Sequence, residues 1–131
     1  MHVDGGARGN PGPAAVAAVA SSQAGDVLGE ASEYIGEATN NVAEYRAVLL
    51  GLERARALGA SEVALIGDSE LVVRQVLGEY KVKDATLRGL RDQVDSALAQ
   101  FDSWTFRHVR REDNEAADLL VNDTLDAPDG A

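Results

Sequence analysis

Four carboxylates lie within the most distinctive motifs of the sequence. Asp4 opens the segment DGGARGNPGP, Glu44 ends TNNVAE, Asp68 follows the apolar run VALIG, and Asp118 ends REDNEAAD. Four carboxylates in one small site cannot all stay ionised without a compensating cation. Hard oxygen ligands suit Mg²⁺ or Mn²⁺, and paired ions of this kind serve phosphodiester hydrolysis. The motifs therefore predict metal-dependent chemistry wherever the fold brings the four residues together.

The elements that would position these carboxylates follow from the hydrophobic pattern. Patches of apolar and small residues separated by Gly, Pro, Asn and Asp predict three strands, over 2–5, 14–22 and 27–35. Tight turns between them predict an antiparallel meander. After residue 36 the apolar residues recur at helical spacing, which predicts a helix over 41–58.

The second half of the chain alternates strands with helices. The pattern predicts strands over 62–67 and 103–109, and helices over 69–77, 87–101 and 114–125. The order is βββαβααβα, which is an α/β chain. Strand–helix–strand segments call for parallel pairing with right-handed crossovers. We therefore expect a mixed five-stranded sheet with helices on both faces.

Each motif has a simpler structural explanation when it is taken alone. The Gly/Pro segment could be only a turn, and Glu44 lies three residues after Asn41, which is the spacing of a capping box. Asp68 and Ser69 could only cap the next helix, and Asp118 could be a solvated surface residue. The presence of all four motifs in one chain favours a shared site.

Taken together and in this order, DGGARGNPGP, TNNVAEY, IGDSELV and REDNEAAD resemble the motifs of a type-I ribonuclease H. The resemblance is to the compact bacterial or archaeal form without a basic protrusion, and it covers nearly the whole chain. It implies the ribonuclease H-like fold, with a catalytic domain over residues 1–125. Residues 126–131 form an acidic tail with Pro and Gly, which we interpret as frayed or as the start of a linker.

The resemblance also implies the chemistry of the site. Such an enzyme is an endonuclease that hydrolyses the RNA strand of RNA–DNA hybrids with two Mg²⁺ or Mn²⁺ ions, leaving 5′-phosphate and 3′-hydroxyl ends. At the matching positions, Asp4 and Asp118 would hold one ion. The other ion would be shared through Asp4 with Glu44 and Asp68. The matching substrate contacts are Asn10, Thr39, Asn40, Asn41 and Arg111.

Three positions depart from the family pattern. The region before the last helix has one His, His108, which falls in a predicted strand, and we interpret it as packed or sheet-facing rather than catalytic. Arg111 takes the place of the mobile His of many members, where it could orient the scissile phosphate but not act as a general acid. Glu70 stands where the family commonly has Gln, and an ionised carboxylate cannot donate to a base.

The charge balance of the chain opposes binding to nucleic acid. Twelve Lys and Arg against 22 Asp and Glu give a formal net charge of −10, whereas nucleic-acid binding depends on cationic contacts to phosphates. We still expect an RNA–DNA hybrid as partner, because binding needs only a local basic track. The stretch after Gly78 has a few candidate backbone contacts, namely Lys81, Lys83, Arg88 and Arg91.

The remaining composition bounds the class of protein. A chain of 131 residues fits one domain, and the absence of cysteine excludes disulfides, thiolate zinc sites and a cysteine nucleophile. The longest apolar stretch, over 14–20, is rich in alanine and too short to span a bilayer. We expect a monomeric cytoplasmic protein that does not bind membranes.

Three other functions stay open at this point. One is a catalytically silent domain of the same fold that binds hybrids or proteins. Another is a different nuclease or a transposase on the same scaffold. The third is a non-enzymatic α/β interaction module whose acidic residues are only helix caps and surface charges. Cleavage of a hybrid and binding of Mn²⁺ would separate these possibilities.

Overall fold

The computed structural model describes residues 1–127, so the last four residues of the predicted acidic tail, 128–131, lie outside the described range. The strands are β1 (His2–Ala7), β2 (Gly12–Ser21), β3 (Val27–Ala38), β4 (Glu62–Gly67) and β5 (Ser103–His108). The helices are α1 (Asn40–Ala57), α2 (Glu70–Val76), α3 (Ala85–Leu98) and α4 (Glu115–Asp126), with a 3₁₀ turn over Arg111–Asn114 before α4. This order confirms the prediction of βββαβααβα.

The five strands form one mixed sheet in the order β3-β2-β1-β4-β5. β1 pairs antiparallel with β2 and parallel with β4, and β4 pairs parallel with β5. β1 is longer than predicted, because Gly6 and Ala7 continue the ladder with β2 instead of starting the turn. The predicted mixed five-stranded sheet is confirmed.

Both faces of the sheet are covered by helices, as predicted. Successive residues of a strand point to opposite faces, and β2 shows this directly. Val16 and Ala18 belong to the larger core, which α1, α2 and α3 share. Ala15 and Ala17 belong to a smaller core with Val121 of α4. Because the β2 residues on that face are alanines, α4 can approach the sheet closely.

The spacing of four residues predicts that Asn114 and Asp118 share a face of the last helix, and residue type predicts that Trp104 lies in the core; both predictions need correction. Asn114 is the last residue of the 3₁₀ turn, with φ −124° and ψ 28°, and α4 begins at Glu115. Asn114 and Asp118 therefore do not share a helix face, because the Asn114 side chain turns into the protein interior. Trp104, predicted as a core residue, is partly buried and packs against the larger core.

Within residues 1–127, no helix has both the length and the apolar character needed to cross a bilayer.

Candidate active site

Parallel pairing of β1 with β4 brings the first two carboxylates together. Val3 pairs with Gly67 at the last register position of this ladder, so Asp4 and Asp68 are each the next residue along neighbouring strands. Each of Asp4, Glu44 and Asp68 offers a carboxylate oxygen within 4.8 Å of the others. Residues 64 positions apart thus share a site because the strands that carry them are adjacent.

A glycine allows the third carboxylate to reach this group. A Cβ atom at Gly5 would lie 2.2 Å from the Ala43 carbonyl oxygen, so α1 can pack directly on β1 only if position 5 has no side chain. The Gly5 amide donates a hydrogen bond of 2.6 Å to Glu44 Oε1. The capping-box interpretation of Glu44 is wrong, because the side chain that caps α1 is Thr39, which accepts from the Val42 amide at 3.2 Å.

Asp118 approaches the group from the other face of the sheet. It lies in the first turn of α4, next to Ala117, which is fully buried against the sheet. Its carboxylate accepts from Arg111 Nη2 at 3.2 Å, and its charge contributes to a higher pKa of Asp4. The structure thus brings all four predicted carboxylates to one place, with Asp118 at the margin of the tighter group of three.

Burial and mutual repulsion make the charged form of this group costly. Burial, followed by the charge of Asp68, raises the pKa of Asp4 to about 7, although a hydrogen bond with Glu44 opposes the change. Burial and the charge of Asp4 raise the pKa of Glu44 well above its usual value, and the Gly5 amide offsets part of this. Such perturbed groups in a cleft are typical of functional sites.

The carboxylates line an open cleft of about 520 Å³. The other residues that line it are Gly5, Gly6, Ala7, Arg8, Asn40, Ser69, Arg111, Val121, Asn122 and Leu125. The donor set is composed of hard oxygen atoms, which suits Mg²⁺ or Mn²⁺ rather than softer metals. A divalent cation would also remove the repulsion that raises the pKa values of Asp4 and Glu44. The residues therefore fit the ions that the sequence motifs predict.

A buried amide connects three parts of the site. Asn114 is 1% exposed, and its Nδ2 donates to the Val3 carbonyl oxygen at 2.9 Å and to Asp68 Oδ2 at 3.3 Å. Val3 immediately precedes Asp4, and Asn114 immediately precedes the helix that carries Asp118. Asn114 thus holds β1 and Asp68 against the start of α4.

The predicted substrate contacts take different positions. Asn40 and Arg111 line the cleft. Asn10 lies beside them, with its Oδ1 accepting from the Asn40 amide at 3.0 Å, and Asn40 Oδ1 accepts from the Ala7 amide at 3.3 Å. Thr39 caps α1, and Asn41 is partly buried at the start of the same helix. Their roles toward a substrate stay predictions.

Of the three positions that depart from the family pattern, Arg111 lines the cleft, whereas His108 and Glu70 are not among the residues that line it. His108 is the last residue of β5 and is exposed, so of the two alternatives, packed or sheet-facing, the packed one is wrong, and its lack of a catalytic role stays a prediction. Glu70 is 3.4 Å from Arg74 on α2. Of the four candidate cations after Gly78, three are exposed, whereas Arg91 is partly buried and 3.6 Å from Asp95.

Sequence reasoning missed two residues of the site. Gly5 was predicted only as the last residue of the first strand, although its amide and its missing side chain are what position Glu44. Asn122 lines the cleft one helical turn after Asp118, and its Nδ2 donates to the Asp118 carbonyl oxygen at 3.1 Å. The spacing of four residues from Asp118 was the signal that could have revealed Asn122.

Comparisons with known proteins agree with this geometry. A family described as reverse transcriptase-like matches residues 2–124. Ribonuclease HI of Halobacterium salinarum is 45% identical over 125 residues, which are 95% of this chain and 63% of that protein. A bifunctional protein of Mycobacterium tuberculosis is 46% identical over 97% of this chain and 35% of its own length. The chain thus spans between about one third and two thirds of these curated relatives.

Solved structures show the same similarity in three dimensions. The crystal structure of RNase H1 from Halobacterium salinarum has a TM-score of 0.94 at 45% identity, covering 95% of both chains. LC11-RNase H1 in complex with an RNA/DNA hybrid has a TM-score of 0.89 at 44% identity, covering 93% of this chain and 92% of that one. With the family match and the four ordered motifs, these similarities show that the chain belongs to the type-I ribonuclease H family.

Proposed function

We propose that this chain is an endonuclease that hydrolyses the RNA strand of RNA–DNA hybrids. The observation that carries the proposal is the convergence of Asp4, Glu44 and Asp68, whose oxygens lie within 4.8 Å of one another in an open cleft that Asp118 also lines. The similarity to ribonucleases H, one of them solved in complex with an RNA/DNA hybrid, supports this choice of substrate.

The same four carboxylates are the groups that would hold two Mg²⁺ or Mn²⁺ ions. When bound, such ions supply an activated water and stabilise the leaving oxygen, a mechanism that gives 5′-phosphate and 3′-hydroxyl ends. The chain's contribution is to fix the carboxylates in place. The Gly5 amide orients Glu44, and Asn114 orients Asp68.

Arg111 and Asn40 are the side chains best placed to orient the substrate. Arg111 is exposed and donates to Asp118 within the cleft, so its guanidinium can also contact a phosphate near the carboxylates. Asn40 lines the cleft beside the main chain of Ala7. Its amide group and that of Asn10 are candidates for contacts to the 2′-hydroxyl that distinguishes RNA from DNA.

The proposal includes a setting for this activity. Residues 1–125 would act as the catalytic domain, as a monomer and in the cytoplasm. The deep burial of Asp4 and Glu44 supports catalysis rather than binding alone, because both are 6% exposed and a domain that only bound hybrids would gain nothing from such costly carboxylates.

The test is cleavage of a labelled RNA–DNA hybrid with Mg²⁺ or Mn²⁺, with Asp68→Asn measured beside the parent protein. Asn has the same shape and can still accept from Asn114, so the variant should fold. It lacks the charge that holds a cation, and we expect its kcat to fall by more than about 100-fold, beyond the effect typical of outer-sphere partners.

Two results would contradict the proposal. Cleavage by Asp68→Asn at the parent rate would show that Asp68 is not part of the reacting site. A folded parent protein that binds Mn²⁺ and the hybrid without cutting it would indicate a silent binding domain. Strand-specific labels also report the product, because the proposal requires that only the RNA strand is cut.

A further inference from the structure

Two cations line the candidate active-site cleft within residues 1–127, and both are paired with a carboxylate. The partner of Arg111 is Asp118, which belongs to the predicted metal site. The partner of Arg8 is Asp126, the last residue of α4, at 2.6 Å from the guanidinium and 118 positions away in sequence. Asp126 is not one of the predicted site residues, so its pairing with a cleft cation needs a separate explanation.

The main chain holds Arg8 at a fixed point on the edge of the cleft. Its amide donates to the Pro13 carbonyl oxygen at 2.8 Å. Gly12 packs so closely that a Cβ atom there would lie 2.2 Å from the Arg8 carbonyl oxygen. The side chain itself is 45% exposed. The guanidinium can therefore change partners by rotation of its side chain alone, without a movement of the loop.

Helix α4 presents two oxygen acceptors to this guanidinium. Asp126 accepts from Nη1, and Asn122 Oδ1 accepts from Nη2 at 3.4 Å. The hydrogen bond from Arg8 lowers the pKa of Asp126, so the carboxylate is ionised at neutral pH. The Asp126 side chain is 63% exposed. An ion pair between two exposed side chains is weak and is easily exchanged for another partner.

We propose that Arg8 binds a backbone phosphate of the RNA–DNA hybrid and that Asp126 competes with this phosphate for the guanidinium. This inference rests on the proposed function. A guanidinium matches the geometry of a phosphate and can donate two hydrogen bonds to it. Each strand of a duplex carries about one phosphate per 3.4 Å of helix axis. A hybrid that places one phosphate at the carboxylates therefore presents others along the same cleft, where Arg8 lies.

The competition has a consequence for the effect of salt. A phosphate that binds Arg8 releases a condensed counterion, and this release makes affinity fall as salt rises. Asp126, once it has lost Arg8, attracts a cation from solution and offsets part of that release. Asp126→Asn should therefore bind the hybrid more tightly and with a steeper salt dependence, whereas Arg8→Ala should bind more weakly with a shallower one.

The test measures hybrid affinity for Arg8→Ala, Asp126→Asn, the double variant and Asp123→Asn. Asp123 is an exposed carboxylate on the same helix, so its variant controls for the change of one charge. Anisotropy of a labelled hybrid reports binding, and Ca²⁺ buffer serves to measure binding apart from cleavage. Ca²⁺ also takes oxygen ligands, but it prefers a larger and looser coordination sphere than Mg²⁺. Circular dichroism confirms that each variant is folded.

We expect Arg8→Ala to weaken binding about three- to tenfold, with a logarithmic salt slope smaller by about one. Asp126→Asn should strengthen binding about two- to fivefold, the range of an exposed ion pair, and clearly more than Asp123→Asn does. In the double variant, the Asp126 substitution should have no further effect. Hybrids that carry one neutral methylphosphonate, in the RNA or in the DNA strand, then locate the phosphate that Arg8 binds. When the neutral group replaces that phosphate, Arg8→Ala should cause no further loss of affinity.

Three results would overturn the inference. These are unchanged binding by Arg8→Ala, equal effects of Asp126→Asn and Asp123→Asn, and a gain from Asp126→Asn that persists without Arg8. The parent protein's cleavage of the hybrid in Mg²⁺ is measured separately. If the parent protein cuts the hybrid but the variants bind it with unchanged affinity, only the role of Arg8 is contradicted. If the parent protein does not cut the hybrid, the proposed function is contradicted.

Discussion

At the scale of the residue, the site is defined by carboxylates that the fold keeps close together. Asp4 and Glu44 are each 6% exposed, and Asp68 is partly buried beside them. Each Asp follows directly after a ladder residue of a parallel strand pair, so neither can move away without disrupting the sheet. The backbone arrangement thus keeps these negative charges close together at a cost in electrostatic free energy, and a bound cation would offset that cost.

Asp4→Asn is expected to stabilise the metal-free protein at neutral and higher pH. The folded protein holds the Asp4 proton more tightly than the unfolded chain, since the pKa is raised from 3.8 to about 7. The free energy of unfolding should therefore fall as pH rises through this window. Asn carries no charge and can donate to Glu44, so we expect a gain of about 1–3 kcal/mol at pH 8.

Urea unfolding in EDTA at pH 4 and pH 8 measures this effect. The difference between Asp4→Asn and the parent protein should be small at pH 4, where the Asp4 carboxyl is largely protonated in the folded protein. Asp92→Asn, at an exposed position of α3, is the control for a change of net charge. An Asp4→Asn protein that is no more stable than the parent at pH 8 would show that repulsion at Asp4 is not costly.

At the scale of the element, the site depends on how closely α1 packs on the sheet. The backbone of Ala43 lies against Gly5 of β1, and this contact places Glu44 within reach of the Gly5 amide. Thr39 fixes the start of the same helix, and Asn10 accepts from its Asn40 amide. The loop after β1, the first turn of α1 and the third carboxylate therefore form one connected unit.

Gly5→Ala is expected to destabilise the protein by about 2–4 kcal/mol, because overpacking against a backbone group forces the two elements apart. The added Cβ would lie 2.2 Å from a carbonyl oxygen, which cannot move as the end of a side chain can. Cleavage should also decrease, since the shift of α1 carries Glu44 away from Asp4. Denaturant unfolding and hybrid cleavage measure the two effects.

Gly89→Ala is the matched control for that substitution. Gly89 lies within α3, and a Cβ atom there would have no neighbour within 4 Å. Alanine should stabilise this helix by about 0.5–1 kcal/mol and leave cleavage unchanged. Equal stability changes in the two variants would mean that the close approach of α1 to β1 is not required.

At the scale of the whole molecule, charge and sheet edges bear on self-association. β3 and β5 are the two edge strands of the sheet, and an unpaired strand edge is a template for another chain. β3 carries Glu30, Glu33 and Glu37 along its length. These charges, and the formal net charge of −10, oppose edge-to-edge pairing of two copies.

We therefore expect the chain to sediment as a monomer of 13.8 kDa at moderate ionic strength. Sedimentation velocity over a range of protein concentrations measures this directly. A species of twice that mass that persists as the protein is diluted would contradict the prediction. A charge-neutralised variant with Gln at positions 30, 33 and 37 tests the physical reason, since it should associate more readily than the parent protein.

Much of the fold and the core of the site could be predicted from local patterns. The bounds of β4 were predicted without error because a short apolar run lies between polar residues and Gly67. The end of β1 was predicted two residues too early, since Gly6 has weak strand propensity and is held in the ladder with Ala7 by pairing with β2. The exposed position of His108 was missed as well, because the burial of a strand residue depends on which elements cover that part of the sheet.

The sequence alone determined the element order and the four carboxylates, because periodicity, turn residues and motif spacing are local properties of the chain. The tertiary structure decided what each side chain contacts. It assigned Glu44 to the Gly5 amide instead of a helix cap, turned Asn114 inward to Asp68, and paired Arg8 with Asp126. These contacts join residues between 39 and 118 positions apart. Their geometry depends on how helices pack on the sheet, which no local pattern contains.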